Sequence, residues 1–251
     1  MGEQNPDTAM EKDMKSNDHI YYSDHKLISV ALRAKERPKE KFCNLLHHLT
    51  LERVKTAIVK IAVSSGRGPD ELSRNLTRQH LDWLLPKELD DIHKKKYEAP
   101  CSRRVYIPKA NGDKRPIAVG NILDRGIQGA TAEILNNVYE QDFLDCSFGF
   151  RPKRNCHQAL ATLNHAVMIE GKHYLLEVDI KNFLGTINHE WMMAFLRHRI
   201  SDERILKLIE SWLKAGVMEN GVEMANETGT AQGGAISPLL ANVYLHYVLD
   251  D

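Results

Sequence analysis

The stretch Tyr174–Asn188, "YLLEVDIKNFLGTIN", decides how the chain is read. Tyr174, Leu176, Val178 and Ile180 alternate with Leu175, Glu177 and Asp179. That period of two predicts a β-strand with one apolar face and a carboxylate, Asp179, near its C-terminal end. A carboxylate there is either a metal ligand or a polar residue capping the next turn.

Downstream, a turn and two helices are expected, the second with Ser201 as its N-cap. Asn220-Gly221 marks a hairpin. Glu227–Gly234, "ETGTAQGG", is a loop of small residues in which backbone can approach a ligand closely. Ser237 as N-cap and Pro238 at the first helical position start a final helix. Its apolar stripe is Leu240, Val243, Tyr244, Tyr247 and Val248. Trp191 and Trp212 are read as core residues on helical faces.

Upstream, Arg103–Val119, "RRVYIPKANGDKRPIAV", has two β-prone runs around Asn111-Gly112, a strong hairpin signal. Its tip holds Lys109, Lys114 and Arg115. A helix follows, with Leu123, Ile127, Ala130, Ile134 and Val138 on one face. Ser147–Asn155, "SFGFRPKRN", is a basic loop, and a helix begins near His157. Further back, Thr50 caps a helix bearing Val54, Ile58 and Ile61, stopped at Gly66. Another helical stretch is interrupted at Pro86. Residues up to about 40 read as loosely ordered, with helical potential in Lys26–Arg37, and His47-His48 as helix surface. Helices mixed with hairpins indicate an α+β fold.

The 251 residues are 42% apolar and 27% charged, the balance of a soluble globular chain. No apolar run approaches the roughly 18 residues of a membrane span. The N-terminus lacks the apolar core of a signal peptide and has too many acids for a transit peptide, so cytoplasmic location is expected. Pro6 occupies the place where a myristoylation signal wants Ser or Thr. Four scattered cysteines suggest reduced thiols. A zinc site from Cys146, Cys156 and His157 fits no common spacing. Formal net charge is zero, yet Cys101–Pro116 has five basic residues against one acid. Arg151, Lys153 and Arg154 form a second basic patch. Such patches bind phosphates even where the total cancels, although a solvated surface is the ordinary fate of a charge run.

Four segments in order, Arg103–Ala130, Ser147–Leu160, Val178–Trp191 and Gly229–Asp250, resemble the successive motifs of group II intron-encoded reverse transcriptases, or maturases. The similarity spans about residues 45–251. It implies a right-hand polymerase with fingers at 45–170 and an incomplete palm at 171–251, after an N-terminal extension, 1–44. By this resemblance Asp179 is the first metal-binding and catalytic aspartate, with the Ile180 carbonyl beside it on Mg²⁺. Lys109 and Arg115 meet the incoming triphosphate, and Gln232 and Gly233 line the nucleotide–template pair. Arg151 contacts template or steadies the fingers–palm junction, and Arg103, Arg104, Lys153 and Arg154 face template or RNA. The implied partners are intron RNA, an RNA template, a DNA primer and deoxynucleoside triphosphates.

The sequence departs from the family at three places. It ends at Asp250-Asp251, before the family's second catalytic motif, Tyr-Ala-Asp-Asp. Leu184 stands at the aromatic sugar gate, beside Gly185 where the family has Asp, which is expected to loosen the turn. Ala231 replaces a usual Pro, relaxing the loop before Gln232. Asp179 alone provides too few carboxylate oxygens for two divalent ions, so this polypeptide by itself is expected not to polymerise. A strand at Tyr174–Ile180 with an open apolar edge is expected to promote self-association. The alternatives are a non-catalytic RNA-binding remnant and another bacterial, retron-type enzyme.

Overall fold

The computed structural model describes residues 25–108 and 112–250. Lys109 and the hairpin turn at Asn111 lie outside the described residues, as does Asp251. The fold is α+β, and one contiguous core runs from Leu27 to Val243.

Helix α1 (His25–Glu36) buries Leu27, Val30, Ala31 and Ala34. Their i, i+3, i+4, i+7 spacing makes one apolar stripe. Residues 25–36 are thus a core helix, not loosely ordered. His48 is buried in a 3₁₀ turn, Leu46–His48, whereas His47 is exposed. Helix α2 (Leu51–Lys60) is capped by Thr50, whose hydroxyl accepts from the Arg53 N–H. It ends at Ile61, which turns extended before Gly66 is reached. Helices α3 (Arg74–Gln79) and α4 (Leu81–His93) part at His80. Pro86 does not interrupt α4. It and Asp82 are both exposed, so the carbonyl that loses its donor faces water.

Strands β1 (Ser102–Pro108) and β2 (Lys114–Val119) form the expected antiparallel hairpin, with Ile107 opposite Arg115. Helix α5 (Ile122–Tyr139) buries Ile127, Ala130, Ile134 and Val138, the face read from the sequence. After the loop 140–155 comes α6 (Cys156–Met168), closed by an Asn155–Gln158 capping box. None of its residues is buried.

Helix α7 (Phe183–Thr186) is a single turn, followed by α8 (His189–Arg199) and α9 (Glu203–Lys214). Asp202, not Ser201, caps α9. Its carboxylate accepts from the Arg204 N–H and also from those of Leu45 and Leu46, which ties the 3₁₀ turn to this helix. Strands β3 (Val217–Glu219) and β4 (Val222–Met224) turn on Asn220-Gly221, both at positive φ. The sheet order is β2-β1-β3-β4, with β1 parallel to β3 through Ser102–Val217 and Arg103–Met218. Helix α10 (Ser237–Leu245) runs on into a π-helical turn, His246–Asp250. Leu240 and Val243 are buried, but Val248 at the stripe's end is exposed. Trp212 is buried as read; Trp191 is exposed instead, on the outer face of α8.

The expected strand at Tyr174–Ile180 does not form. Residues 171–180 are coil, every one of them exposed, with Tyr174 at 99% and Leu176 at 86%. A lone strand satisfies its N–H and C=O groups only by pairing. Neither edge of the sheet, β2 or β4, pairs with it.

Candidate nucleotide and nucleic-acid site

The loop before α10 is built against the fingers hairpin. Pro116 lacks an N–H and fits an edge strand, and the Ala118 N–H donates to the Gln232 carbonyl at 2.8 Å. Gly233 adopts φ +116°, and a Cβ there would stand 2.8 Å from the Ala118 carbonyl oxygen. Only glycine allows both the conformation and the approach. Ser237 does not cap α10; its hydroxyl donates to the Ala231 carbonyl at 2.8 Å and lies 3.0 Å from the Thr230 hydroxyl. The Gly234 N–H closes on the same carbonyl. The Ala231 carbonyl thus takes two bonds that hold the loop.

The turn at Asn182–Thr186 docks on the same loop. Thr230 and Gly229 donate backbone N–H groups to the Leu184 and Ile187 carbonyls, both at 2.7 Å. A Cβ on Gly229 would meet the Leu184 oxygen at 2.6 Å. Asn182 has φ +51°, and its amide occupies the space a Gly185 Cβ would take, 2.5 Å from Nδ2. Gly185 thus admits the Asn182 side chain, and the turn is closed by a Gly185 N–H to Asn182 carbonyl bond of 2.9 Å.

Together these parts enclose a cavity of about 290 Å³, lined by Arg104, Ala118, Asn182, Thr228, Thr230 and Gln232 among others. Arg104 lies 3.6 Å from Glu219 and its Nε has no hydrogen-bond acceptor among the described residues. Tyr106 donates to the same Glu219, and that bond raises its phenol pKa.

Beneath the loop lies a buried carboxylate. Asp124 accepts from Tyr97 Oη (2.5 Å), Trp212 Nε1 (2.8 Å) and Gln128 Nε2 (2.8 Å). Burial raises its pKa, against the pull of these donors, and the same burial and charge raise that of Tyr97. The Gln128 Oε1 would be 3.2 Å from a Cβ at Gly234, so this network abuts the Gln232 loop.

The residues singled out from sequence divide sharply. Gln232 and Arg104 line the cavity, whereas Gly233 packs its backbone on Ala118 and Leu184 gives its carbonyl to the Thr230 N–H while its side chain packs on the core; neither of these two lines it. Arg115 is exposed on β2. Lys109 lies outside the described residues. Arg103 is held by Glu71 at 2.7 Å and by the Arg67 carbonyl. Arg151 is only 5% exposed. It pairs with Glu140 at 3.1 Å, donates to the Leu144 and Ser147 carbonyls, and so organises its loop. Arg154 pairs with Asp145 at 2.7 Å and stacks on Phe148, while Lys153 sits at φ +59° with its side chain exposed. The loop also presents Phe150, 81% exposed at φ +56°, an aromatic face the sequence reading passed over. Asp179 and Ile180 lie in the exposed coil and do not line the cavity. Among the described residues no three His, Cys, Asp or Glu side chains group closely enough to hold a metal ion, which includes the cysteines weighed for zinc. No described helix is long and apolar enough to cross a membrane.

The chain is 34% identical to protein YkfC of Escherichia coli over 182 residues, 71% of this chain and 48% of that protein. It is 42% identical to the group II intron-encoded protein LtrA of Lactococcus lactis over 145 residues, 57% of this chain and 24% of LtrA. The chain thus spans half or less of the length of these relatives. In structure it resembles a chain of a partial Cas6-RT-Cas1–Cas2 complex, with a TM-score of 0.51 at 20% identity, covering 82% of this chain and 34% of that one. Residues 107–251 match the family described as reverse transcriptase (RNA-dependent DNA polymerase), and the chain belongs to that family.

Proposed function

We propose that this chain is the fingers (45–170) and first part of the palm (171–251) of a group II intron reverse transcriptase that also aids intron RNA splicing. Residues 1–44 form an N-terminal extension. Its substrates on this reading are deoxynucleoside triphosphates, an RNA template and a DNA primer, with intron RNA as partner, in the cytoplasm. The observation that carries it is the bond from the Ala118 N–H to the Gln232 carbonyl. It brings the fingers strand and the glutamine loop to one cavity edged by Arg104. Backbone so close-packed offers a flat wall to a base pair, and Arg104, Lys109 and Arg115 offer charge to phosphates.

The family uses divalent metal ions. The described residues do not fit a complete metal centre: Asp179 stands in exposed coil and belongs to no group of three His, Cys, Asp or Glu side chains among them. Asp179 and the Ile180 carbonyl supply one side of a Mg²⁺ site at most, and no metal-dependent step is assigned to this polypeptide. Primer extension by the 251-residue chain with Mg²⁺ is expected to give no cDNA; robust synthesis would refute this. RNA binding should fall steeply with salt and weaken in Lys109→Ala and Arg115→Ala. Binding indifferent to both changes removes the fingers hairpin from the site.

Phe150, exposed beside the basic residues of its loop, favours a second reading, a chain that binds RNA without catalysis. The exposed apolar run Tyr174–Ile180 supports self-association of the isolated chain. A monomer at every concentration in light scattering would argue against it.

A further inference from the structure

Helix α6 and the segment after it both lack a partner for their apolar faces. Leu160, Leu163 and Val167 recur at i, i+3 and i+7, so they share one side of α6, and all three are exposed. A helix of 13 residues is marginal in water unless such a stripe is packed. The chain then turns through Gly171, at φ +68°, and runs on as Tyr174–Ile180. Tyr174, Leu176, Val178 and Ile180 are exposed as well, and in extended backbone they would share one face.

One arrangement serves both elements. A second strand beside Tyr174–Ile180 takes up the N–H and C=O groups that a lone strand leaves open. A two-stranded ribbon is marginal by itself, and a helix packed on its apolar face stabilises it. Each copy of this chain carries one such strand and one such helix. Two copies therefore hold all the parts of a helix layer on a sheet layer.

The charges of the segment favour its own copy as the partner. Lys172 and His173 lead it, and Glu177 and Asp179 lie in its second half. Antiparallel pairing sets the basic end of one copy beside the acidic half of the other. With Leu176 opposite its counterpart, His173 stands opposite Asp179 at both ends. Parallel pairing in register sets Glu177 and Asp179 beside themselves, and like charges directly opposite are destabilising. In the antiparallel ribbon Leu175, Glu177 and Asp179 face solvent, the usual pattern of a sheet covered on one side.

We propose that two copies of this chain associate by antiparallel pairing of Tyr174–Ile180, with the α6 stripes laid over the shared apolar face. This pairing, which rests on the self-association proposed above, closes about a two-fold axis and needs no other chain.

Light scattering and hydrogen exchange of the full chain over a concentration series test it. A dimer is expected, with the amides of residues 173–180 protected as it forms and open again on dilution. Exchange in α6 should slow over the same range. Leu176→Asp and, separately, Leu163→Asp put a carboxylate from each copy into the shared apolar layer and should weaken the dimer about ten-fold or more. Both positions are exposed in the single chain, so its urea stability should hold. Lys172→Glu/His173→Glu should also weaken the dimer, and mixing that variant with Glu177→Lys/Asp179→Lys should restore a mixed dimer. A dimer whose residues 173–180 still exchange at once, or that is indifferent to Leu176→Asp, overturns this pairing and leaves self-association standing. A monomer at every concentration overturns both. Growth beyond the dimer overturns the two-fold arrangement.

Discussion

Two segments of the family pattern meet opposite fates in this fold. The glutamine loop, Gly229–Gly234, is tied to β2, to the Asn182–Thr186 turn and to Ser237, and stands next to the Asp124 network. The segment Tyr174–Ile180, which bears Asp179, makes no strand and buries nothing. Both are short, and both hold the residue types their roles call for. The difference is whether partners for their backbone and apolar groups are within reach. A motif supplies chemistry, and its neighbours supply geometry.

The largest effect expected is at the carboxylate under the loop. Asp124→Ala leaves the Tyr97, Trp212 and Gln128 donors buried without an acceptor and should cost about 3 kcal/mol or more, read by urea denaturation. Asp124→Asn should cost far less, because the amide oxygen still accepts from Tyr97 and Trp212. Burial raises the carboxyl pKa in the fold, so wild-type stability relative to Asp124→Asn should decline as pH rises above the ordinary value of 3.8. A flat difference across that range would mean the carboxyl is not desolvated.

Gly233→Ala comes next, at about 2 kcal/mol, from positive-φ strain and the collision with Ala118. It should also weaken nucleotide binding beside Gln232. Asp202→Ala offers a contrast outside both regions. Burial of Asp202 opposes its charge, yet Arg204 and the Leu46 N–H prevail and hold its pKa below the usual range. The variant should lose about 2 kcal/mol at neutral pH, and the gap should close as pH falls below 3.8. The smallest effect is expected in the other segment: Leu176→Asp should change stability by under about 0.5 kcal/mol. Hydrogen exchange completes the comparison. The amides of residues 173–180 should exchange at once in the monomer, whereas those of Ala118 and Thr230 should be protected. Protection in 173–180 would mean the strand finds a partner in solution.

Much of the fold was legible because it rests on local signals. The Asn111-Gly112 and Asn220-Gly221 hairpins, the Thr50 cap and the buried face of α5 each follow from residues near in sequence. What escaped depends on distance. Asp202 outcompetes Ser201 as a cap because it also meets Leu45 and Leu46, far away in the chain. Arg151 reads as a free cation until Glu140 is found beneath it. Asp179 alternates like a strand residue, but periodicity specifies a face, not a partner to cover it. Around the cavity, the close backbone approach at Gly233 was legible from the run of small residues, while Asn182 over Gly185 and Asp124 beneath the loop were not.

The parallel pairing of β1 with β3 has a consequence for how this protein is made. Ser102 waits for Val217, so the β1–β2 hairpin leaves the ribosome long before its other neighbour is synthesised. During that interval β1 has one open edge, and Val105, Tyr106 and Ile107 remain exposed even in the finished fold. Nascent chains stalled before residue 217 should therefore recruit chaperones or aggregate more readily than chains stalled after β4 has emerged.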